Sequence, residues 1–243
     1  MKKFWPESFQ QHIIVIWMST EENFKKGYEI VLQEHPDVIF IQQDPGMFKK
    51  LVVASADICK SYTMFLVDDI VFKEPFTMDC PEVQAFLKDE QILCVSLRLC
   101  PRITYCYTRN LPNIPPEFKP GDLKIWNWWG ASNDFGYSMS IDASIYRTSD
   151  LMNIIKNGSY DHPGSFENAL LTDIPGRPKM ICFEESKLFN IPINRVGPYP
   201  NRHGNISAEE LNESFLSGKR IDLRPLEGYK NIGCHEEVSL QWI

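Results

Sequence analysis

Over the first hundred residues, apolar positions fall in short unbroken runs separated by stretches with helical spacing. "HIIVIW" (12–17), "DVIFI" (37–41), "YTMFLV" (62–67) and "ILCVSL" (92–97) are rich in β-branched, aromatic and aliphatic side chains. Each predicts a strand buried on both faces. Between the runs, Phe24, Tyr28, Val31 and Leu32 recur at helical spacing behind a capping box of Ser19 and Glu22. Phe48, Leu51, Val52, Ser55 and Cys59 share one face of a second helix, and Asp79 and Glu82 cap a third with Pro81 in its first turn. Strands alternating with amphipathic helices predict an α/β fold with a mostly parallel, Rossmann-like central sheet flanked by helices. Ligands of such sheets bind beyond the carboxyl ends of the strands.

The second half has a different pattern. "LPNIPPEFKPG" (111–121) holds four prolines and predicts an irregular connection. Strand-like residues resume in "FGYSMSIDASIYR" (135–147), followed by a short helix at "SFENALL" and strands near "KMICF" and "INRV". A last helix, "SAEELNESFLSG" (207–218), carries a Ser207–Glu210 capping box and Gly218 as its stop.

Composition changes this picture little. The 243 residues carry a net charge of −7, and no basic face suggests a nucleic-acid partner. Seven cysteines without a CxxC pair, and no secretory leader or membrane-spanning run, lead us to expect reduced thiols and a cytoplasmic protein. Sequons at Asn157, Asn205 and Asn212 are read as chance matches.

The chemistry concentrates in "YTMFLVDDIVFKEPF" (62–76), where Asp68 and Asp69 stand side by side at the end of the third apolar run. Two adjacent carboxylates repel each other and resist burial. A solvated turn would explain them, but so would a hard divalent cation, Mn²⁺ or Mg²⁺, which takes oxygen ligands and shares its shell with phosphates. The second unusual stretch is "KIWNWWGASNDFGYS" (124–138), with Trp126, Trp128 and Trp129 in a polar loop. Aromatic rings stack on sugar C–H faces, although core packing competes for at least one of the three.

"FLVDDIVF" resembles the D-x-D region of GT-A fold glycosyltransferases, in an x-D-D form with Val67 at the first aspartate position. "FGYSMSIDASIYRTSDL" is similar to the strand pair that follows the acceptor loop of these enzymes. "SFENALLTDIPGRPKMICFEESKLFNIPINRV" is similar to the segment beginning with their x-E-D motif, here Phe166-Glu167-Asn168. The blocks cover most of residues 12–203, and the small stand-alone enzymes of bacteria and large DNA viruses are the nearest in kind.

The resemblance implies one GT-A-like domain over 1–243, with a donor half of about 1–110 and an acceptor half of about 111–243 that carries a smaller sheet. It implies a nucleotide-diphosphosugar donor, UDP favoured over GDP or dTDP, and a glycan or other hydroxyl acceptor. It assigns Asp69 to the metal and Asp68 to ribose. Trp17, Ser19, Thr20 and Glu22, after the first strand, would face base and ribose. A late histidine, His203, is the second expected metal ligand, with His162 and His235 as rivals. An inverting transferase needs a carboxylate base, for which Glu167 is the first candidate and Asp134, in the Trp-rich loop, the second. Retention at the anomeric carbon is the other stereochemical outcome. Two further classes compete: a non-catalytic glycan- or nucleotide-binding homologue, and a sugar-nucleotide nucleotidyltransferase. "WMSTEENFKK" lacks the Gly-rich, Arg-containing loop usual in the latter.

Overall fold

The structure is a computed structural model, and it describes residues 3–4, 13–19, 21–59, 61–193, 202 and 204–243. The expected apolar runs become β1 (Ile14–Trp17), β2 (Ile39–Gln42), β3 (Tyr62–Met64) and β5 (Ile92–Ser96), with β4 (Ile70–Phe72) after the aspartate pair. Helices α1 (Glu22–Glu34), α2 (Phe48–Ile58) and α3 (Pro81–Lys88) lie between them. The later chain supplies β6 (Tyr105–Cys106), β7 (Leu111–Pro112), β8 (Lys124–Asn127), β9 (Ser144–Arg147), α4 (Thr148–Asn157) and α5 (Pro163–Leu170). It ends with β10 (Lys179–Cys182), β11 (Leu188–Asn190) and α6 (Ala208–Leu216).

The fold is mixed α/β, but its central sheet is not mostly parallel. The five strands run in the order β3-β9-β5-β10-β8, and only the β5–β10 pairing is parallel. β1 and β2 form a separate parallel pair, and β11 pairs antiparallel with β4. β9 inserts between β3 and β5 and runs against both. Burial on both faces gives a strand the same apolar run whichever way its neighbours point, so the pattern carried no sign of this.

Packing covers the sheet on both faces. In β9 and β10, Tyr146, Met180 and Cys182 join one core with α2, α4 and α5, while Ile145 and Ile181 join another with Val83 and Phe86 of α3. This alternation is the period-two geometry of a strand. The Ser207–Glu210 capping box forms at α6, and Gly218 takes the positive φ of its stop. The Ser19–Glu22 box does not form. Glu21 is the N-cap of α1, and the Ser19 hydroxyl bonds the Glu21 backbone instead. Asp79 likewise is not the cap of α3, whose N-cap is Cys80 with Pro81 at N1. The described cysteines are all free thiols. Among the described residues, no helix is long and apolar enough to cross a membrane.

Candidate active site

Asp68 and Asp69 form the turn between β3 and β4, and three backbone links assemble a site around them. Ala143 donates its N–H to Phe65 O at 2.9 Å and accepts from Leu97 N at 3.1 Å. The turn 140–143 is thereby tied to the ends of both β3 and β5. Ala143 holds a left-handed φ of +54°, a conformation an L side chain resists, so the two bonds keep in place a turn that aims Asp142 into the site. On the other side, Ile191 N donates to Asp69 O at 2.9 Å, continuing the β11–β4 ladder in which Asn190 faces Ile70. Asn190 in turn takes a backbone bond from Glu236 and donates one to Cys234, which brings His235 alongside.

The result is a group of carboxylates with one buried cation. Arg98 Nη1 lies 2.9 Å from Asp142 Oδ2. Burial alone would lower the Arg98 pKa, but the carboxylates of Asp142, Asp134 and Glu167 hold its guanidinium firmly charged. Asp69 is half-buried, and burial pushes its carboxyl up to about 7, with Asp142 and Asp68 adding repulsion and an Asn190 hydrogen bond opposing them. His235 is pushed down from the usual imidazole range, mainly by burial and against the pull of Asp142 and Asp134. Asp142 and Arg98 were not singled out in the sequence. A lone Asp or Arg has no local signature, and these two meet the site only through strand pairing.

Glu167 lies on α5, and the helix is seated by Phe166, which packs edge-on against Phe65 with ring centroids 5.1 Å apart. Its Oε1 accepts from Ile141 N at 3.2 Å, and its carboxylate also takes a hydrogen bond from the Tyr137 side chain. Burial and then the charge of Asp142 raise its pKa above the usual glutamate range. Asp134 is buried in the 3₁₀ turn Asn133–Gly136, and accepts from Asn113 Nδ2 at 3.2 Å. Both acids thus face the Arg98 cluster.

Trp17 ends β1 buried, stacked on Tyr28 at 4.6 Å and 22°. Tyr28 feels the charge of Asp68, so Trp17 and Asp68 meet through a ring that sequence reading had placed only on a helix face. One face of Trp17 is therefore occupied by Tyr28 and not available to a base. Ser19 is engaged with Glu21, Glu22 is exposed in the first turn of α1, and Thr20 lies outside the described residues.

The three tryptophans separate. Trp126 is 0 % exposed, donates to Phe135 O at 3.0 Å and packs edge-on with Phe118 and Phe135, which removes it from any acceptor surface. Its position on β8, the edge partner of β10, points the ring inward. Trp128 is anchored by a 2.7 Å bond from Nε1 to Arg177 O, and Trp129 packs on its edge while remaining 56 % exposed.

Of the histidines, His203 lies outside the described residues, and His162 is used as the N-cap of α5, away from the cluster. His235 is the described histidine beside the carboxylates. Among the described residues, no three His, Cys, Asp or Glu side chains converge to hold a metal ion by themselves. The donors at Asp69 nevertheless suit a hard divalent cation. A carboxylate crowded by two others would gain from positive charge. Beside it, Asn190 Oδ1 is a buried oxygen with no hydrogen-bond partner among the described residues, a state that costs roughly 1–3 kcal/mol when left unfilled. Oxygen ligands of this kind, with the remaining positions taken by phosphate, are what Mn²⁺ or Mg²⁺ accepts.

No family model matches the chain. Over 247 aligned residues covering 89 % of the chain, it is 25 % identical to a protein of Dictyostelium discoideum named bifunctional glycosyltransferase pgtA. The chain spans 32 % of that protein's length. The sequence is thus related at a distance, over most of its own length, to a protein named as a glycosyltransferase.

Proposed function

We propose that the protein is a GT-A type, metal-dependent glycosyltransferase that moves a sugar from a nucleotide-diphosphate donor, UDP-linked in preference, to a hydroxyl acceptor with inversion. The observation that carries the reading is that Asp142, paired with Arg98 beside Glu167, Asp134 and His235, also faces Asp69 at the turn after β3. The distant relation to a protein named as a glycosyltransferase supports the same reaction class.

Asp69 would hold the cation, with His235, bridged through its backbone to Asn190, as the described imidazole that could join it. When bound, the cation neutralises diphosphate charge and stabilises the leaving group. The other roles belong to side chains of the chain itself. Asp68, whose charge Tyr28 feels, would accept from ribose hydroxyls. Glu167 takes the proton of the acceptor hydroxyl as that oxygen attacks the anomeric carbon. Its raised pKa makes it a stronger base than a free glutamate, and the Tyr137 and Ile141 hydrogen bonds fix its orientation. Arg98 holds Asp142 and limits the repulsion that the acids exert on one another. Trp129 offers an exposed ring for an acceptor sugar.

The test is a donor-hydrolysis and transfer assay with Mn²⁺ on a panel of UDP-, GDP- and dTDP-sugars. Turnover of a UDP-sugar that stops on chelation is expected. Failure to turn over any donor would overturn the enzyme reading in favour of a binding homologue, and turnover indifferent to chelation would overturn the metal. Markedly tighter binding of GDP than UDP, with metal present, would overturn the choice of nucleotide.

A further inference from the structure

We infer that Asn190 is an oxygen ligand of the divalent cation at Asp69, its Oδ1 entering the coordination shell while its Nδ2 fixes the Asp69 carboxylate. The inference rests on the metal-dependent reading above and adds a residue of a different chemical type to it.

Four observations carry it. Asn190 is 1 % exposed, so its polar groups must find partners inside the protein. Its Nδ2 donates to Asp69 Oδ1 at 2.9 Å, which sets the sense of the amide, since the flipped form would face two oxygens. Its Oδ1 is buried and accepts from no group among the described residues. Its backbone is held on both sides, by the pairing with Ile70 on β4 and by bonds to Cys234 and Glu236, so the side chain has little freedom to turn the oxygen elsewhere. A buried amide oxygen fixed beside a metal-binding carboxylate is preorganised for a hard cation, for which side-chain carbonyls are ordinary ligands. The same oxygen explains how a cation could be held where, among the described residues, carboxylates and imidazoles alone do not form a cage of three.

The position fits the local sequence. Asn190 closes β11, the strand that pairs with the residues directly after the aspartate turn. At this strand position an aliphatic residue would pack as its neighbours Leu188, Phe189 and Ile191 do, all buried. An amide there needs a polar task, and holding Asp69 uses only half of it.

The experiment uses the full chain grown on asparagine labelled with ¹³C at the side-chain carbonyl, loaded with Mn²⁺ alone and with Mn²⁺ plus UDP. Pulsed electron–nuclear double resonance should show the strong ¹³C coupling of a carbonyl whose oxygen binds the metal. The coupling should vanish in Asn190→Asp, which is isosteric and unlabelled at that position. In a parallel Mn²⁺ titration followed by electron paramagnetic resonance, Asn190→Ala should lose roughly 10- to 100-fold in affinity. If the parent binds Mn²⁺ without the coupling, if the coupling persists in Asn190→Asp, or if Asn190→Ala binds as the parent does, the inference is overturned and the metal-dependent reading stands. If the parent binds no Mn²⁺ in either condition, both fall. Should Asn190→Ala fail to fold, the Asn190→Asp comparison decides alone.

Discussion

Arg98 Nη1 and Asp142 Oδ2 lie 2.9 Å apart, with both side chains shielded from solvent, and this pair joins the end of β5 to the turn before β9. It is the electrostatic centre of the site, since Arg98 also faces Asp134 and Glu167. Breaking a buried pair by removing one partner leaves the other charge unsatisfied and typically costs about 3–5 kcal/mol. Arg98→Met should therefore lower unfolding free energy by that order in a denaturant titration. Asp142→Asn added to it should recover part of the loss, because the uncompensated carboxylate is gone. Equal stability of Arg98→Met and parent would show that the cluster does not depend on this cation.

Asp69 makes the metal-free protein pH-sensitive. Its folded pKa of about 7 stands above the unfolded value of about 3.9, so the folded state binds the proton more tightly. The stability this proton contributes is fully present below about pH 4 and is lost as pH rises through about 7. Metal-free Tm should fall across that interval, and Mn²⁺ should restore it at the upper end. Asp69→Asn should flatten the slope, raise the metal-free Tm at pH 8 and abolish the Mn²⁺ shift. A parent-like Mn²⁺ shift in this variant would move the metal elsewhere.

Glu167→Gln tests the base. Loss of a general base typically slows the chemical step by about 10²–10⁴-fold. Donor affinity and metal requirement should survive, because Glu167 acts on the acceptor. Burial raises its pKa, so the acid limb of kcat/KM should lie above the usual glutamate value of about 4.3. If Asp134→Asn shows the loss and Glu167→Gln remains active, the roles are exchanged. If neither slows transfer, the product's anomeric configuration must be tested for retention.

Trp126 and Trp129 should respond in opposite ways. Trp126→Ala empties a fully buried site and should cost about 3–5 kcal/mol of stability. Trp129→Ala should leave the melting temperature nearly unchanged and raise acceptor KM. An unchanged acceptor KM would remove the exposed indole from the acceptor site.

The amino-acid order alone determined what depends on neighbours within a few residues. The apolar runs became β1, β2 and β5, helical spacing became α1 and α2, and Ser207 with Glu210 formed their box. Asp69 and Glu167 stood out as candidates for the same reason, as each sits in a local sequence signature. Tertiary structure decided the rest. Insertion of β9 and the antiparallel pairing of β8 with β10 made the sheet mixed, because strand direction is set by distant partners and leaves no mark on an apolar run. It placed Trp126 in the core, although its sequence neighbourhood matches that of exposed Trp129. It also brought Asn190 to Asp69 across 121 positions, and Arg98 to Asp142 across 44. A hydrogen bond or ion pair of that span forms only after the sheet has closed, and no local pattern of residues encodes which strands will meet.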